Sequence, residues 1–496
     1  DAKAAEAIFR RALELNHTFL AAHQGLRGAL GRQEENGGAG IDSSYPVKGA
    51  CGYFADILHR GTLASVSDDD LRRAIAPAAQ AMREKEQSQG PLLVLGKLLL
   101  ECELTQMAKE ILEAALRPEG NHPDLYIALS VCYAKLAAAA DAKNITGRLV
   151  SEYPMMSRTS PSAEAQVLVL EALYSPYVDT PHYGVKVYSH TNTIGAMPAE
   201  RVSLHHLCIN GLDEDYSALK GDYDVIFNNI GNAELNKIYQ YGRRSGGIID
   251  FLDLPTINDP EHIDRTTRDE NYRRLKNVEN IVFPKTVYFE NVEKSTDTMI
   301  ETVNRDFDFP VLFRTPGHHR SSGLYMADTV DELREAIENM SSDAVYVIQF
   351  HESRHSSGNY LMYRTVFIDG VFYPGRMYLS DSWLVSGPAQ RGLRRTLIAE
   401  NSGFQADERG WIDDPEKVLG AANMEALKNL NDVIGLDCFG ADVGLLDDGR
   451  LLVFEANACM NTLANRRHVE EFPYLKPGAD EIQAAIERMI LDKAAG

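Results

Sequence analysis

Residues 440–457 read Gly440-Ala-Asp-Val-Gly-Leu-Leu-Asp-Asp-Gly-Arg-Leu-Leu-Val-Phe-Glu-Ala-Asn457. Two apolar-rich runs flank the turn-forming triplet Asp447-Asp448-Gly449. The stretch therefore predicts a β-hairpin with strands Asp442–Leu446 and Leu451–Ala456. Glu455 and Asn457 are two residues apart and share a face, and folding the hairpin back brings Asp442 opposite them. Two carboxylates and an amide carbonyl are hard oxygen donors, the type Mg²⁺ accepts while it keeps waters and phosphate oxygens. Carboxylates set among Leu451–Phe454 need a partner, because an unpaired charge in apolar surroundings is strongly unfavourable. A divalent cation is one such partner. The other is an ion pair from Asp442 and Glu455 to Arg364 or Arg376.

Those arginines lie upstream in a second hairpin. Val345-Tyr-Val-Ile-Gln-Phe350 reads as a strand, followed by a polar stretch and Tyr363-Arg-Thr-Val-Phe-Ile-Asp-Gly370. Asp369-Gly370 is a hairpin turn, which sets Arg364 and Arg376 on adjacent antiparallel strands. Solvated strand arginines are the plain alternative. Further upstream, Phe309-Pro-Val-Leu-Phe-Arg-Thr-Pro-Gly-His-His-Arg-Ser-Ser-Gly323 combines a strand, a basic residue and a loop of Gly, Ser and His. Arg314 beside a loop rich in backbone N–H groups suits phosphate oxygens.

In this order the three segments resemble the ATP-grasp superfamily. The Asp442…Glu455-x-Asn457 spacing resembles the magnesium-binding strands of D-alanine ligases and glutamate-ligase-like enzymes. Arg268-Asp269, ahead of Pro284-Lys-Thr286, resembles that family's basic position at the front of its small subdomain. The resemblance covers residues 260–496, with a small α/β pre-ATP-grasp domain over 183–259. It implies that Arg268 and Arg314 hold ATP phosphates and that the Gly317–Gly323 loop, with Gly317, Ser322 and Gly323, closes over them. It implies that the backbone at Gln349, Phe350 and His351 meets the adenine edge, that Arg364 and Arg376 act catalytically on the triphosphate or acyl-phosphate, and that Asp442, Glu455 and Asn457 bind Mg²⁺. The chain departs from the family where Arg314 stands in place of a common Lys, which keeps charge but changes geometry, and where Gln349 replaces a common acid. The activity implied is an ADP-forming carboxylate–amine, or carboxylate–hydroxyl, ligase acting on a small-molecule or peptide carboxylate. An ATP-grasp kinase and a nucleotide-sensing scaffold are the other readings. No general base is singled out among His318, His319, His351 and His355.

Ahead of these segments the pattern changes. Around Pro161–Pro181 the composition shifts, and alternating strand and helix signals follow: strands at Gly184–Ser189, Tyr223–Asn228 and Ile248–Leu254, helices at Ala199–Cys208 and Ala233–Tyr241. They predict a small parallel sheet. It has no GxGxxG, so dinucleotide binding is not expected. Asn258-Asp259-Pro260 signals the entry to a helix at Arg265–Val278. In the C-terminal part Thr329–Asn339, Pro415–Val433 and Asp480–Ala494 read as helices.

The first 160 residues are helical. Leu95, Gly96, Leu99, Ala108, Leu112 and Ala115 find counterparts 34 residues on, at Leu129, Ser130, Tyr133, Ala142, Thr146 and Leu149. Small residues at helix crossings and large ones in the groove, at this period, resemble tetratricopeptide repeats, with a generic helical bundle as the alternative. A weaker copy opens the chain, and the polar stretch Gln33–Asp42 reads as a loop. The combination resembles a bacterial group of repeat-bearing ATP-grasp proteins, and the repeats are expected to offer a peptide or protein partner a platform. The fold class expected is thus α+β: all-α repeats, a small α/β domain and an ATP-grasp domain.

Composition narrows the partners. The net charge of −22 disfavours nucleic acid, whose phosphates demand Lys and Arg. No apolar run reaches the length that spans a membrane, and Asp1–Arg10 is charged and helix-patterned rather than a secretory signal. Six scattered cysteines without a CxxC pair suit small buried thiols in the cytoplasm.

Overall fold

The computed structural model describes residues 89–101, 104–173, 200–212, 216–219, 221–317, 323–340, 342–385, 398, 401–459, 469 and 472–496. The opening repeat copy, Gln33–Asp42, Gly184–Ser189, His318, His319 and Ser322 lie outside them. Contacts divide the chain into two compact units, Asp1–Pro154 with Ser175–Val187, and Met155–Tyr174 with Tyr188–Gly496.

The described part of the first unit is four helices: α1 Gln89–Glu101, α2 Thr105–Ala115, α3 Pro123–Lys135 and α4 Ala139–Glu152. The second pair starts 34 residues after the first, Pro123 following Gln89 and Ala139 following Thr105. Leu95, Leu99, Ala108, Leu112 and Ala115 are buried, and so are Leu129, Ser130, Tyr133, Ala142, Thr146 and Leu149, so one packing pattern serves both pairs. Buried Asn121 sits at the hinge between them, accepting from Arg117 N at 2.7 Å and donating to Tyr126 Oη at 2.8 Å.

Among its described residues the second unit carries three sheets. The first has the order β1 (Met155–Arg158), β3 (Val202–Cys208), β2 (Ala165–Glu171), β4 (Val225–Asn228), β5 (Thr256–Ile257). β1 pairs antiparallel with β3, and the remaining pairs are parallel. Its helices are α5 Ala233–Tyr239 and α6 Tyr241–Leu252. Helix α7 (Pro260–Asp264), capped by Asp259 Oδ1 accepting from Glu261 N, and α8 (Arg268–Leu275) lead out of it. After β6 (Ile281–Val282), a small antiparallel sheet forms from β7 (Thr286–Glu290), β10 (Ala344–Gln349), β8 (Val311–Arg314) and β9 (Leu324–Ala327), backed by α9 (Val292–Asp306) and α10 (Val330–Glu338). The third sheet runs β12 (Val371–Ser380), β11 (Tyr360–Ile368), β13 (Cys438–Leu445), β14 (Leu451–Asn457), β6. Helices α11 (Ser402–Asp413), α12 (Pro415–Leu419) and α13 (Ala421–Ile434) cover one face of it, around fully buried Trp411. Helix α14 (Lys476–Ala495) packs with the other face and the first sheet.

Four expectations change. Residues 202–208 form strand β3 rather than part of the helix expected over 199–208: Val202, Leu204 and Leu207 are buried in the sheet, and the adjacent polar pair His205-His206 breaks the alternation that marks a strand. Residues 248–252 end helix α6 rather than forming a strand, and Asp253, with φ of 51°, closes it. The helix expected over 415–433 is two, divided at Gly420, whose φ is 82°. The α/β sheet takes in residues 155–171, ahead of the expected start at 183, and β2 is its middle strand. The Pro-containing stretch had hidden Ala165–Glu171, where Val167, Leu168, Val169 and Leu170 are fully buried.

A chain starting at Met155 therefore keeps every strand of the first sheet and should melt cooperatively. A chain starting at Tyr183 loses β1 and the middle strand β2, and should show no cooperative transition by circular dichroism.

Candidate functional site

Side chains alternate across a strand. Val366, Ile368 and Cys438 of the third sheet share one apolar layer with Val167, Val169 and Leu204 of the first. The next positions on those same faces are Arg364 and Asp442 on one side, Glu171 and His206 on the other. A three-part clamp fixes how the two sheets meet. Asn258, just past β5, donates Nδ2 to Cys438 O at 2.7 Å, accepts Cys438 N at 2.9 Å, and donates its own N to Asp437 Oδ2 at 2.8 Å. Gly231, past β4, lies so close to Ala458 and Cys459 that a Cβ there would come within 2.9 Å of their backbone. The carboxyl ends of the parallel strands, where open α/β sheets bind ligands, thus abut the end of β14.

The predicted acidic row is present. Arg364 stands opposite Asp442, and Asp442 opposite Glu455, across β11, β13 and β14. Arg364 donates two parallel bonds to Asp442, Nε to Oδ1 at 2.9 Å and Nη2 to Oδ2 at 2.8 Å. Burial alone would weaken the Arg364 cation, but Asp442 outweighs it and lifts its pKa above the ordinary value. Burial raises the Asp442 carboxyl pKa, with Arg364 pulling the other way. Glu455 pairs with Arg268, a partner outside the ion-pair alternative: Arg268 Nη2 donates to Glu455 Oε2 at 2.5 Å. Arg268 opens helix α8, which Asn271 ties to β14 by donating Nδ2 to Ala456 O at 2.9 Å.

Arg268 has a second carboxylate that the sequence reading missed. Its Nε lies 3.3 Å from Glu234 Oε1, and Glu234 Oε2 accepts the Gly317 N–H at 2.6 Å. Glu234 sits in the first turn of α5 behind Asn232, a cap that reads as a helix start and hides the acid's second use. Arg314, at the end of β8, is 5% exposed. Burial, and then the Arg268 charge, push its pKa down to about 10, with Glu455 and Glu234 opposing. The structure therefore gathers Arg268, Arg314, Arg364, Glu234, Asp442 and Glu455 into one cluster. Asn457 and Cys459 line a cleft with Glu234, Arg268 and Glu455. Asn457 Oδ1 accepts Cys459 N at 3.1 Å, and burial raises the Cys459 thiol pKa.

Other expected residues stand apart from this row or are otherwise engaged. Arg376 lies 5.3 Å from the centre of the Tyr378 ring, with Arg364 at 5.1 Å from the same ring. Gln349 clamps Asp308, accepting its N at 3.0 Å and donating to its O at 2.7 Å, while Gln349 N donates to Lys285 O. Its side chain and amide are thus spent on joining β10 to its neighbours. Phe350 is half-buried and its carbonyl accepts Gln349 Nε2 at 3.3 Å. His351 is half-buried, its pKa lowered by burial and then by Arg450. His355 is exposed and turned to Ser357. Gly317 and Gly323 both have positive φ, 74° and 64°, and Gly323 O accepts Thr315 N, which pinches the root of the loop.

Among the described residues no group of three or more His, Cys, Asp or Glu side chains forms a ready metal cage. The donor chemistry nevertheless fits a divalent cation: two carboxylates in register, Asp442 with its pKa raised by burial, and Asn457 two positions from Glu455. A second polar group appears where no motif had pointed. Glu171, 1% exposed, accepts Asn229 Nδ2 at 3.1 Å and lies 3.3 Å from His206 Nδ1 at the carboxyl ends of β2–β4. Cys132, Cys208, Cys438 and Cys459 are buried thiols, as expected. No helix among the described residues is long and apolar enough to cross a membrane.

No protein-family model matches the chain, and no curated protein matches it. Solved structures do. A D-alanine–D-alanine ligase from Bacillus anthracis shares 13% identity at a TM-score of 0.41, over 67% of this chain and 97% of that one. The VanG D-Ala:D-Ser ligase from Enterococcus faecalis shares 13% at 0.41, over 67% and 98%. A RimK domain ATP-grasp protein from Sphaerobacter thermophilus shares 16% at 0.38, over 67% and 100%.

Proposed function

We propose that the second unit is an ATP-grasp enzyme, an ADP-forming ligase that activates a carboxylate for attack by an amine or, less often, a hydroxyl. One observation carries the reading. Arginines from three separate elements, α8, β8 and β11, converge on two carboxylates that face each other in register across adjacent strands. A purely structural core has no use for so many buried charges, since well-packed apolar residues serve stability as well or better. Polyphosphate chemistry does use them: cationic groups aimed at developing charge, with carboxylates placed for a metal.

Asp442, Glu455 and Asn457 would hold Mg²⁺, which when bound neutralises phosphate charge. The residues' own task is an exchange of partners. In the free chain Arg364 and Arg268 neutralise Asp442 and Glu455. With a cation held by the carboxylates, the guanidiniums would be available to phosphate oxygens, so that neither set of charges would be left bare. Arg314, with its pKa lowered by burial and by the Arg268 charge, would be favoured by an added anion. In the reaction, a substrate carboxylate oxygen attacks the γ-phosphorus and ADP leaves. The acyl-phosphate carbonyl then takes the nucleophile, and phosphate departs. The backbone at Gln349–His351 is the proposed adenine edge, with most of the contact falling to Phe350 and His351. The 34-residue helical pairs are the proposed docking platform for a peptide or protein partner.

Two substitutions test this. Arg314→Ala should weaken nucleotide binding in titration calorimetry by about 1.5–3 kcal/mol, the range for a hydrogen bond to a charged group. An unchanged affinity removes Arg314 from the phosphate site. Glu455→Gln keeps shape and leaves Arg268 its contact with Glu234. ADP release with magnesium should fall by roughly two orders of magnitude or more, with the circular dichroism spectrum unchanged. A lowered melting temperature with undiminished turnover would make Glu455 a structural ion-pair partner only.

A further inference from the structure

We propose that Arg268 and the Gly317 amide form an oxyanion site for one phosphate group of a polyphosphate, and that in the free chain Glu234 occupies it as an internal competitor. This rests on the nucleotide reading above and adds its regulation. Both oxygens of Glu234 are engaged, one 3.3 Å from Arg268 Nε and the other accepting Gly317 N at 2.6 Å. The Arg268 contact is an ion pair and the Gly317 contact a hydrogen bond; a guanidinium charge and a backbone N–H beside the two oxygens of one anion also suit phosphate.

Glu234 differs from the other two acids of the cluster. Asp442 and Glu455 face each other on neighbouring strands and suit a shared cation. Glu234 reaches in from helix α5 of the first sheet and stands outside that row. Its side chain is 10% exposed and that of Arg268 12%, so the pair is held out of solvent, where each charge depends on the other. The contact is shaped as well as charged. Leu235, the next residue, lies so close to Gly317 that a Cβ there would come 2.3 Å from Leu235 Cδ2. The first turn of α5 therefore brings a carboxylate and an apolar wedge together onto the root of the loop that begins at Gly317.

A phosphate and the Glu234 carboxylate cannot share these donors, because two anions at contact distance repel. Binding then requires Glu234 to withdraw, and apparent affinity falls by the fraction of chains in which the carboxylate is seated. The sign of the expected effect sets this role apart. Removing a residue that holds the ligand weakens binding, whereas removing Glu234 strengthens it.

The test is titration of the full chain with sodium tripolyphosphate without divalent metal. Glu234→Gln should bind about tenfold more tightly than the unsubstituted chain, as for a site seated by its carboxylate about nine times in ten. Glu234→Ala should tighten binding too, which guards against a folding defect peculiar to one variant. Adding Arg268→Ala to Glu234→Gln should cancel the gain. Equal or weaker binding by both Glu234 variants, a gain that persists without Arg268, or no binding by any of them overturns the proposal. Parallel titrations with magnesium and ATP separate the two ideas. Tripolyphosphate gains in a chain that binds no ATP leave the oxyanion site standing and sink the nucleotide reading. ATP binding without those gains does the reverse.

Discussion

The site is organised by a chain of paired, buried and half-buried charge: Arg364 with Asp442, Glu455 beside it, then Arg268 between Glu455 and Glu234. Each of these groups would be costly in an apolar layer by itself. Together, each cation meets an anion in a geometry the backbone imposes. The pairing register of β11, β13 and β14 puts Arg364, Asp442 and Glu455 in one line, and helix α8 and helix α5 supply the rest from outside the sheet. The apolar layer behind the line, with Val366, Ile368 and Cys438 against Val167, Val169 and Leu204, keeps water away on one side.

The rest of the second unit holds these parts in place. The Asn258 clamp joins the first sheet to the start of β13 by hydrogen bonds in both directions. Buried Glu408 accepts Met377 N at 3.1 Å and Tyr474 Oη at 2.7 Å, fixing α11 to β12 and to the chain ahead of α14. Trp411 donates Nε1 to Gly375 O at 3.0 Å from the same helix. The small antiparallel sheet contributes Arg314 at the end of β8, and Gly317 follows just beyond it. The cluster is therefore assembled from all three sheets, and the chemistry lies where they converge.

Much of this was legible in the chain. The 440–457 hairpin stands out because turn residues punctuate apolar runs, and spacing of two puts Glu455 and Asn457 on one face. Arg364 and Asp442 follow from the same alternation. What escaped depends on contacts between distant segments. Glu234 looks like an ordinary first-turn acid, and only the fold shows that α5 abuts Gly317. Glu171 and His206 carry no motif, because their pairing comes from the parallel register of β2 and β3. Strand β3 and the end of α6 were misread since such short segments, Val202–Cys208 with its adjacent His205 and His206 and the Ile-Ile-Asp-Phe-Leu end of α6, hold too little period to separate strand from helix. Gln349 was legible as a strand end, but the clamp it forms on Asp308 was not.

The position of Arg268 between two acids has a consequence for descent. Loss of Glu234 leaves Arg268 matched by Glu455, and loss of Glu455 leaves it matched by Glu234. Loss of Arg268 takes an ion-pair partner from two carboxylates at once, and breaking even one buried pair costs roughly 3–5 kcal/mol, against a stability of about 5–15 kcal/mol for a whole domain. Tolerance is thus unequal along the cluster. Among diverging copies of this gene, the acids have room to exchange one at a time, while the arginine can change only in company with both.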